Sequence, residues 1–177
     1  HKCLMHTFSF CVNEQFYNVD PKKLMPHVKN TIERGKKVMA SDYAKALAQL
    51  SEYRFKMDNI FSKFDYIVSP TVAIPPHKCN ERPNIINGKI DISSIDDKEM
   101  FEENDYDYSS WIFVLAQFTA PFNWSGNPAV SLPCGFTKSG LPIGLQLAGK
   151  KRGELSLIQA SKAFEEIKPW QQNRPSI

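Results

Sequence analysis

The sequence predicts an α/β fold, in which helices pack against a sheet of short strands. Two observations support this prediction. Apolar residues recur three and four positions apart after Ser41, which is the spacing of a helix with one buried face. After Asn123, short apolar runs are separated by Pro and Gly residues, which is the pattern of strands joined by tight turns. We therefore expect helices flanking a sheet.

Length and composition are typical of one globular domain over residues 1–177. The chain has 42% hydrophobic residues and a net charge of +3, with basic residues scattered among acidic ones. This pattern predicts neither a nucleic acid nor a membrane surface as a partner. The four cysteines lie far apart without a C-x-x-C pair, so no metal site is predicted. Reduced thiols favour a cytoplasmic protein.

Helices dominate the predicted first third of the chain. The apolar stretch 1–10 lacks a helix start signal, as expected of a chain that continues from something longer. Asp20 and Pro21 predict a short turn, followed by a helix from Pro26 to Arg34 that Gly35 ends. A longer helix begins at Ser41–Asp42. Its apolar stripe consists of Tyr43, Leu47, Leu50, Tyr53, Met57, Ile60, Phe61 and Phe64.

The middle of the chain is less regular. A short strand is predicted over 65–71, where Pro70 stops it. An irregular loop is expected from about 73 to 108, because turn signals replace any apolar period. The apolar segment 111–120 predicts a helix that runs into Pro121, and a loop led by Asn123 follows.

The last third has the clearest local pattern. An interior strand is predicted over 129–134 and a second strand around 143–147, with Ile143, Leu145 and Leu147 on one face. A helix follows from Gly153 to Ile167, and Trp170 is expected to fold back after it. The apolar stripe of this helix is Leu157, Ala160, Phe164 and Ile167.

No catalytic motif is visible in the sequence. It contains no G-x-S-x-G elbow, phosphate-binding loop, G-x-G-x-x-G fingerprint or S-x-x-K motif. Cys134 lies at a strand end, where a nucleophile can sit. Because no basic partner is near it in sequence, a structural thiol is favoured.

Three segments in order resemble the amidase signature hydrolases. They are I-E-R-G-K-K-V-M-A-S-D-Y-A-K-A-L, F-S-K-F-D-Y-I-V-S-P-T, and the run from Gln117 to Gly149, which contains N-W-S-G-N-P-A-V-S-L-P-C-G-F. The tail from Ala163 onward is similar to that family's ending. The resemblance implies the C-terminal part of a mixed-sheet fold with flanking helices.

The resemblance also implies a mechanism whose residues this chain does not carry. The family hydrolyses carboxamide bonds with a serine nucleophile, a second serine in a cis peptide and a lysine, without a metal or cofactor. These residues belong to an upstream Gly- and Ser-rich region, and no segment of this chain matches it. We therefore assign no catalytic residue here, and expect this chain alone to be inactive and to need the upstream catalytic portion as its partner.

The same resemblance implies that this chain forms one wall of the substrate pocket. In relatives, the helical turn before the Asn-led loop faces the substrate, which implies substrate-binding roles for Phe113, Ala116, Thr119 and Ala120. The alternative, that these are ordinary core residues, stays open.

The same turn bears on specificity. The branch that amidates mischarged tRNA binds glutamine through an arginine and an aspartate, and the corresponding positions here are Thr31 and Ala116. Neither residue can pair with a charged amino acid, so an apolar amide is favoured as the small-molecule substrate.

Other functions remain open at this point. One alternative is a non-catalytic binding or scaffold module derived from the same fold, and another is a fragment of the A subunit of a glutamine-dependent tRNA amidotransferase. A part of a larger fold is expected to have an exposed sheet edge or apolar face, and to self-associate through it.

Overall fold

The computed structural model describes residues 2–24, 26–77, 81–86, 89–94 and 115–173. The chain divides into two compact units, of which the first includes all described residues up to Tyr53 and the second begins at Arg54. Helices and antiparallel strands are both present, which confirms the predicted α/β class. A 3₁₀ turn at Pro21–Lys23 lies between the first two helices. In chain order, the helices and strands are α1 (Lys2–Val19), α2 (Pro26–Lys36), α3 (Ala40–Phe61), β1 (Tyr66–Pro70), β2 (Glu81–Ile86), β3 (Lys89–Ser94), α4 (Ala120–Ser125), β4 (Ala129–Phe136), β5 (Pro142–Gly149) and α5 (Glu154–Ile167).

The first unit is built on a pair of packed helices, α1 and α2. Helix α1 was not predicted, because its start has no capping signal, and its stability comes instead from packing against α2. Leu4 and Ile32 are buried in this unit. The turn at Pro21–Lys23 confirms the predicted break between the helices.

Gly35 corrects the predicted end of α2. It lies inside the helix, which continues to Lys36. A Cβ atom at Gly35 would lie 2.2 Å from the His6 carbonyl oxygen and 2.6 Å from Phe10 Cβ. The glycine therefore permits a close approach of α1 and does not stop the helix.

The second unit contains a three-stranded antiparallel sheet in the order β1–β5–β4. Its register places Ser69, Gln146 and Ser131 side by side across the three strands. Strand β5 is central and β4 lies at the edge of the described sheet, so the prediction of an interior β4 stays a prediction. Helix α5 packs against β4 and β5.

The buried face of β5 is not the one that carries its large apolar residues. Gln146 is 3% exposed and Ala148 is fully buried, whereas Ile143 on the alternate face is 42% exposed. The side-chain amide nitrogen of Gln146 donates two hydrogen bonds, so its burial does not destabilise the sheet.

Two predicted helix stripes are only partly buried. In α3, Met57 and Phe61 are buried as expected, but Leu47 and Ile60 are exposed. In α5, Leu157 is buried and Ile167 is exposed. The Trp170 indole N–H donates to Glu165 Oε1 at 2.9 Å, which attaches this residue to the last turns of α5.

Part of the predicted irregular loop is a hairpin. Strands β2 and β3 pair antiparallel, with Glu81 opposite Ser94 and Ile86 opposite Lys89. The prediction was therefore wrong for these strands, while residues 95–108 lie outside the described part of the chain. Among the described helices, none is long and apolar enough to cross a bilayer.

Candidate functional site

The segment expected to face substrate is a turn followed by a short helix. Leu115 and Ala116 are helical, residues 117–119 form the turn, and α4 follows from Ala120 to Ser125. The predicted helix ending at Pro121 is wrong in this respect, because Pro121 lies in the first turn of α4. Proline fits there, since a first-turn N–H has no partner within the helix.

The four predicted substrate-binding residues are only partly described. Phe113 lies outside the described residues, whereas Ala116, Thr119 and Ala120 are all half-buried. The Thr119 hydroxyl donates to the Ala116 carbonyl at 3.4 Å, and the Thr119 N–H donates to the same oxygen at 3.1 Å. Thr119 thus ties the turn to Ala116, and these residues do not form one continuous helix face.

Gln146 and Arg54 contact the backbone of this segment. Gln146 Nε2 donates to the Phe118 carbonyl at 2.8 Å, and Arg54 Nε donates to the Trp124 carbonyl at 3.0 Å. Gly126 ends α4 in the left-handed region at φ 78°, where its N–H donates to the Phe122 carbonyl. The segment is therefore attached to β5 and α3 at two of its carbonyls. Sequence reasoning did not identify Gln146 or Arg54.

A pair of hydroxyls lies on the same face of the sheet as Gln146. Thr71 Oγ1 and Ser131 Oγ are 2.7 Å apart. A Cβ atom at Gly144 would lie 2.7 Å from the first oxygen and 2.8 Å from the second. Glycine at this position leaves room for the two hydroxyls to meet over β5.

Cys134 makes a contact typical of a structural thiol. Its Sγ donates to the Ile143 carbonyl at 3.4 Å, and its side chain is half-buried. Within the described ranges, no three His, Cys, Asp or Glu side chains are grouped closely enough to hold a metal ion.

A separate cleft of about 320 Å³ lies at the start of α5. It is lined by Asp65, Tyr66, Lys150, Gly153 and Ser156. Lys150 Nζ lies 3.0 Å from Asp65 Oδ1, and the Tyr66 hydroxyl donates to the Ser156 carbonyl at 3.0 Å. These charges and polar groups are paired with one another, and the lining contains none of the predicted substrate-binding residues.

Comparison with known proteins identifies the family. The sequence profile of the Amidase family matches residues 10–158, which include the candidate segment and the whole three-stranded sheet. This chain belongs to the amidase signature family, whose members hydrolyse amide C–N bonds.

Similar curated proteins are components of a larger enzyme. The A subunit of glutamyl-tRNA(Gln) amidotransferase from Thermodesulfovibrio yellowstonii is 33% identical over 135 residues, covering 76% of this chain and 23% of that protein. The equivalent protein of Moorella thermoacetica is 30% identical over 169 residues, covering 93% and 30%. This chain thus spans about a quarter to a third of the length of these relatives.

Solved structures share the fold. A bacterial aryl acylamidase of the amidase signature family superposes with a TM-score of 0.70 at 24% identity, over 98% of this chain and 34% of that one. A 6-aminohexanoate cyclic dimer hydrolase has a TM-score of 0.70 at 23% identity, over 97% and 34%. These likenesses confirm the predicted amidase signature fold.

Proposed function

We propose that this chain forms the non-catalytic wall of the substrate pocket in a serine amidase, which hydrolyses an apolar carboxamide to an acid and ammonia or an amine. The observation that carries the proposal is the attachment of segment 115–120, in which Ala116, Thr119 and Ala120 are half-buried, to β5 inside the region that matches the family. A fixed wall that presents the small side chains of Ala116 and Ala120 suits a pocket that binds an apolar group.

The catalytic serines and lysine are proposed to come from an upstream portion that is absent from this sequence. Exposed apolar side chains support a missing partner surface. On α1, Phe8, Val12, Phe16 and Val19 recur three or four positions apart, and Phe8 is 71% and Val19 85% exposed. Leu155 and Ile158 of α5 are also exposed. We expect these faces to pack against the upstream portion in the cytoplasm, and to cause self-association when that portion is lacking.

Substrate class is inferred from Ala116, the position that corresponds to the aspartate of glutamine-binding relatives. A glutamine-binding site needs charged partners for the ammonium and carboxylate, and a site without them discriminates strongly against that ligand. Ala116 is apolar, and its carbonyl accepts hydrogen bonds from the Thr119 hydroxyl and N–H. An amide with an apolar acyl or amine group therefore fits the proposal better than glutamine.

The second candidate is the A subunit of a glutamine-dependent tRNA amidotransferase. The similarity to the A subunits of Thermodesulfovibrio yellowstonii and Moorella thermoacetica favours it. It requires glutamine hydrolysis, whereas the first candidate requires hydrolysis of an apolar amide without glutaminase activity. The two candidates are therefore distinguished by substrate.

The test is an amidase assay of the 177-residue chain alone and with the upstream portion supplied. An aryl acetamide and glutamine serve as the two substrates. We expect no hydrolysis by the chain alone, and hydrolysis of the aryl amide only after complementation. Hydrolysis by the chain alone, or glutamine as the preferred substrate after complementation, would overturn the proposal.

A matched pair of variants tests the pocket wall itself. Ala116→Asp places a carboxylate in the half-buried wall, while Gln117→Asp places one on the neighbouring exposed position. Because an apolar group binds poorly beside a desolvated charge, the first variant should raise the KM for the aryl amide about tenfold or more. The second should leave KM within about twofold of the parent, since its charge stays in solvent. Equal effects would place Ala116 outside the wall.

A further inference from the structure

We propose that Gln146 is a positioning residue for substrate selection, because its side-chain amide fixes the turn that carries Ala116, Thr119 and Ala120. This inference rests on the proposed function, since it takes that turn as part of the substrate pocket. Gln146 makes this contact from the middle of β5, the central strand of the described sheet.

The amide nitrogen of Gln146 uses two donor directions at once. Nε2 lies 2.8 Å from the Phe118 carbonyl oxygen and 3.0 Å from Ser69 Oγ. A side-chain amide has two N–H groups, so both are engaged. The side chain is almost completely buried, so rotating it would break both hydrogen bonds where no water could replace them. The Phe118 carbonyl is thus attached to the most central position of the sheet.

The local sequence explains why this carbonyl benefits from a side-chain donor. In a continuing turn the residue three positions on supplies an N–H, but that residue is Pro121, which has none. The next N–H, from Phe122, donates to Thr119 at 3.2 Å. Gln146 supplies the donor that Pro121 lacks.

Two neighbouring contacts distinguish the positioning of the turn by Gln146 from a general stabilisation of the sheet. Ser69 binds the same amide but belongs to β1, so its loss leaves the bond to Phe118 in place. Arg54 holds the Trp124 carbonyl, at the far end of α4 from Ala116. Gln146 and Arg54 both bind backbone carbonyls of the segment from outside it, and Gln146 acts closer to the proposed wall.

Hydrogen exchange on the full 177-residue chain tests the contact without any need for activity. Gln146→Met removes both donors while keeping an unbranched side chain of similar length that packs flexibly. We expect exchange in peptides covering 115–125 to accelerate about tenfold, with a much smaller change in α5. Ser69→Ala is the matched control and should leave exchange in 115–125 unchanged.

A rescue variant distinguishes the specific contact from a general loss of packing. Pro121→Ala restores an N–H three residues after Phe118. Combined with Gln146→Met, it should recover part of the protection, which a merely destabilised sheet would not do. If Gln146→Met loses its circular dichroism spectrum, Gln146→Asn tests the same contact, because it retains the amide but is one methylene shorter.

Selectivity is then measured after complementation with the upstream portion. Gln146→Met should change the ratio of kcat/KM between a large and a small aryl amide at least threefold, mainly through KM, while Ser69→Ala should not. Unchanged exchange in 115–125, or faster exchange with unchanged selectivity, would overturn the inference. If the complemented parent hydrolyses no amide, the proposed function fails, and the exchange data still decide whether Gln146 positions the turn.

Discussion

The α1–α2 helix pair and the three-stranded sheet each contain a glycine at a close contact, but the contacting atoms differ. In the helix pair, Gly35 faces a backbone carbonyl and the Cβ of Phe10. In the sheet, Gly144 faces two side-chain hydroxyls, those of Thr71 and Ser131. Backbone atoms of a packed helix cannot move independently, whereas hydroxyls can rotate.

This difference separates two ways of fixing structure. The helix pair is fixed by shape, so it should tolerate changes in polarity better than changes in volume. The sheet is fixed around a buried hydrogen-bonding side chain, Gln146, so it should respond most to loss of donors. Substitutions in the two regions can therefore be ranked.

The largest effect is expected for Gly35→Ala. In an ordinary helix this substitution would gain about 1 kcal/mol of helix propensity. Here the new Cβ would lie 2.2 Å from the His6 carbonyl oxygen, so α1 and α2 must separate. We expect a net loss of about 3 kcal/mol in the free energy of unfolding, at the upper end of overpacking effects. Urea unfolding followed by circular dichroism measures it.

Asn30→Ala on the same helix is the control, because Asn30 is exposed. Its effect should stay within about 0.5 kcal/mol. A stabilising Gly35→Ala would contradict the close approach of α1 and would remove the contrast between the two regions.

Gly35 also shows the limit of local sequence rules. A glycine after a helical segment predicts a helix end, and that rule placed the end of α2 too early because it could not detect a tertiary contact. The reason is a contact with His6, which is distant in the sequence and belongs to a helix with no start signal. The fold class and the helices α3 and α5 were predictable from periodicity, and α2 was predictable from its Pro and Gly signals, but a helix stabilised by tertiary packing was not.

The candidate site was predictable only as a segment. The turn before α4 was placed by resemblance, but its attachment depends on a contact between Phe118 and Gln146 across 28 positions. The alternation rule predicted the wrong buried face of β5, because it assigns burial to apolar residues. It does not consider an amide such as that of Gln146, which is buried with its hydrogen bonds made. A signal for β2–β3 was present, since Asn87–Gly88 between two extended runs is a common hairpin sequence.

The sheet glycine should be more tolerant than Gly35. Gly144→Ala would place its Cβ against the Thr71 and Ser131 hydroxyls, which can rotate at the loss of their mutual hydrogen bond. We expect destabilisation of about 1–2 kcal/mol, measured by urea unfolding followed by tryptophan fluorescence. Gly135→Ala is the matched control in β4, because a Cβ there meets no atom within 4 Å.

A second substitution tests the explanation for Gly144. Adding Ser131→Ala to Gly144→Ala removes one of the two obstructing oxygens, so the pair should be less destabilising than the sum of the single variants. If the two effects are strictly additive, the hydroxyl pair does not determine the destabilisation caused by Gly144→Ala. The contact at Gly144 would then be as rigid as the one at Gly35.

The smallest effect is expected for Tyr17→Phe, in the helix pair, and it should depend on pH. The Tyr17 hydroxyl donates to the Glu33 carboxylate, with Lys36 Nζ 3.5 Å from Glu33 Oε1. The hydrogen bond from Tyr17, followed by the charges of Lys36 and Lys37, lowers the pKa of Glu33 below its ordinary 4.5, although partial burial opposes this. The hydrogen bond to Glu33, together with burial and the charge of Glu33, raises the pKa of Tyr17 above 10.0.

The signs of these two shifts define a pH window. A lowered Glu33 pKa gives stability that is present above pH 4.5 and is lost as pH falls through the folded-state pKa. A raised Tyr17 pKa gives stability that is present below pH 10.0 and is lost as pH rises through its folded-state pKa. The difference in unfolding free energy between the parent and Tyr17→Phe should therefore be constant inside the window and shrink on both sides. Tyr43→Phe, at an exposed position on α3, should show no such window. A difference that persists unchanged in acid would mean that Tyr17 acts through packing alone, which would make the helix pair purely shape-determined.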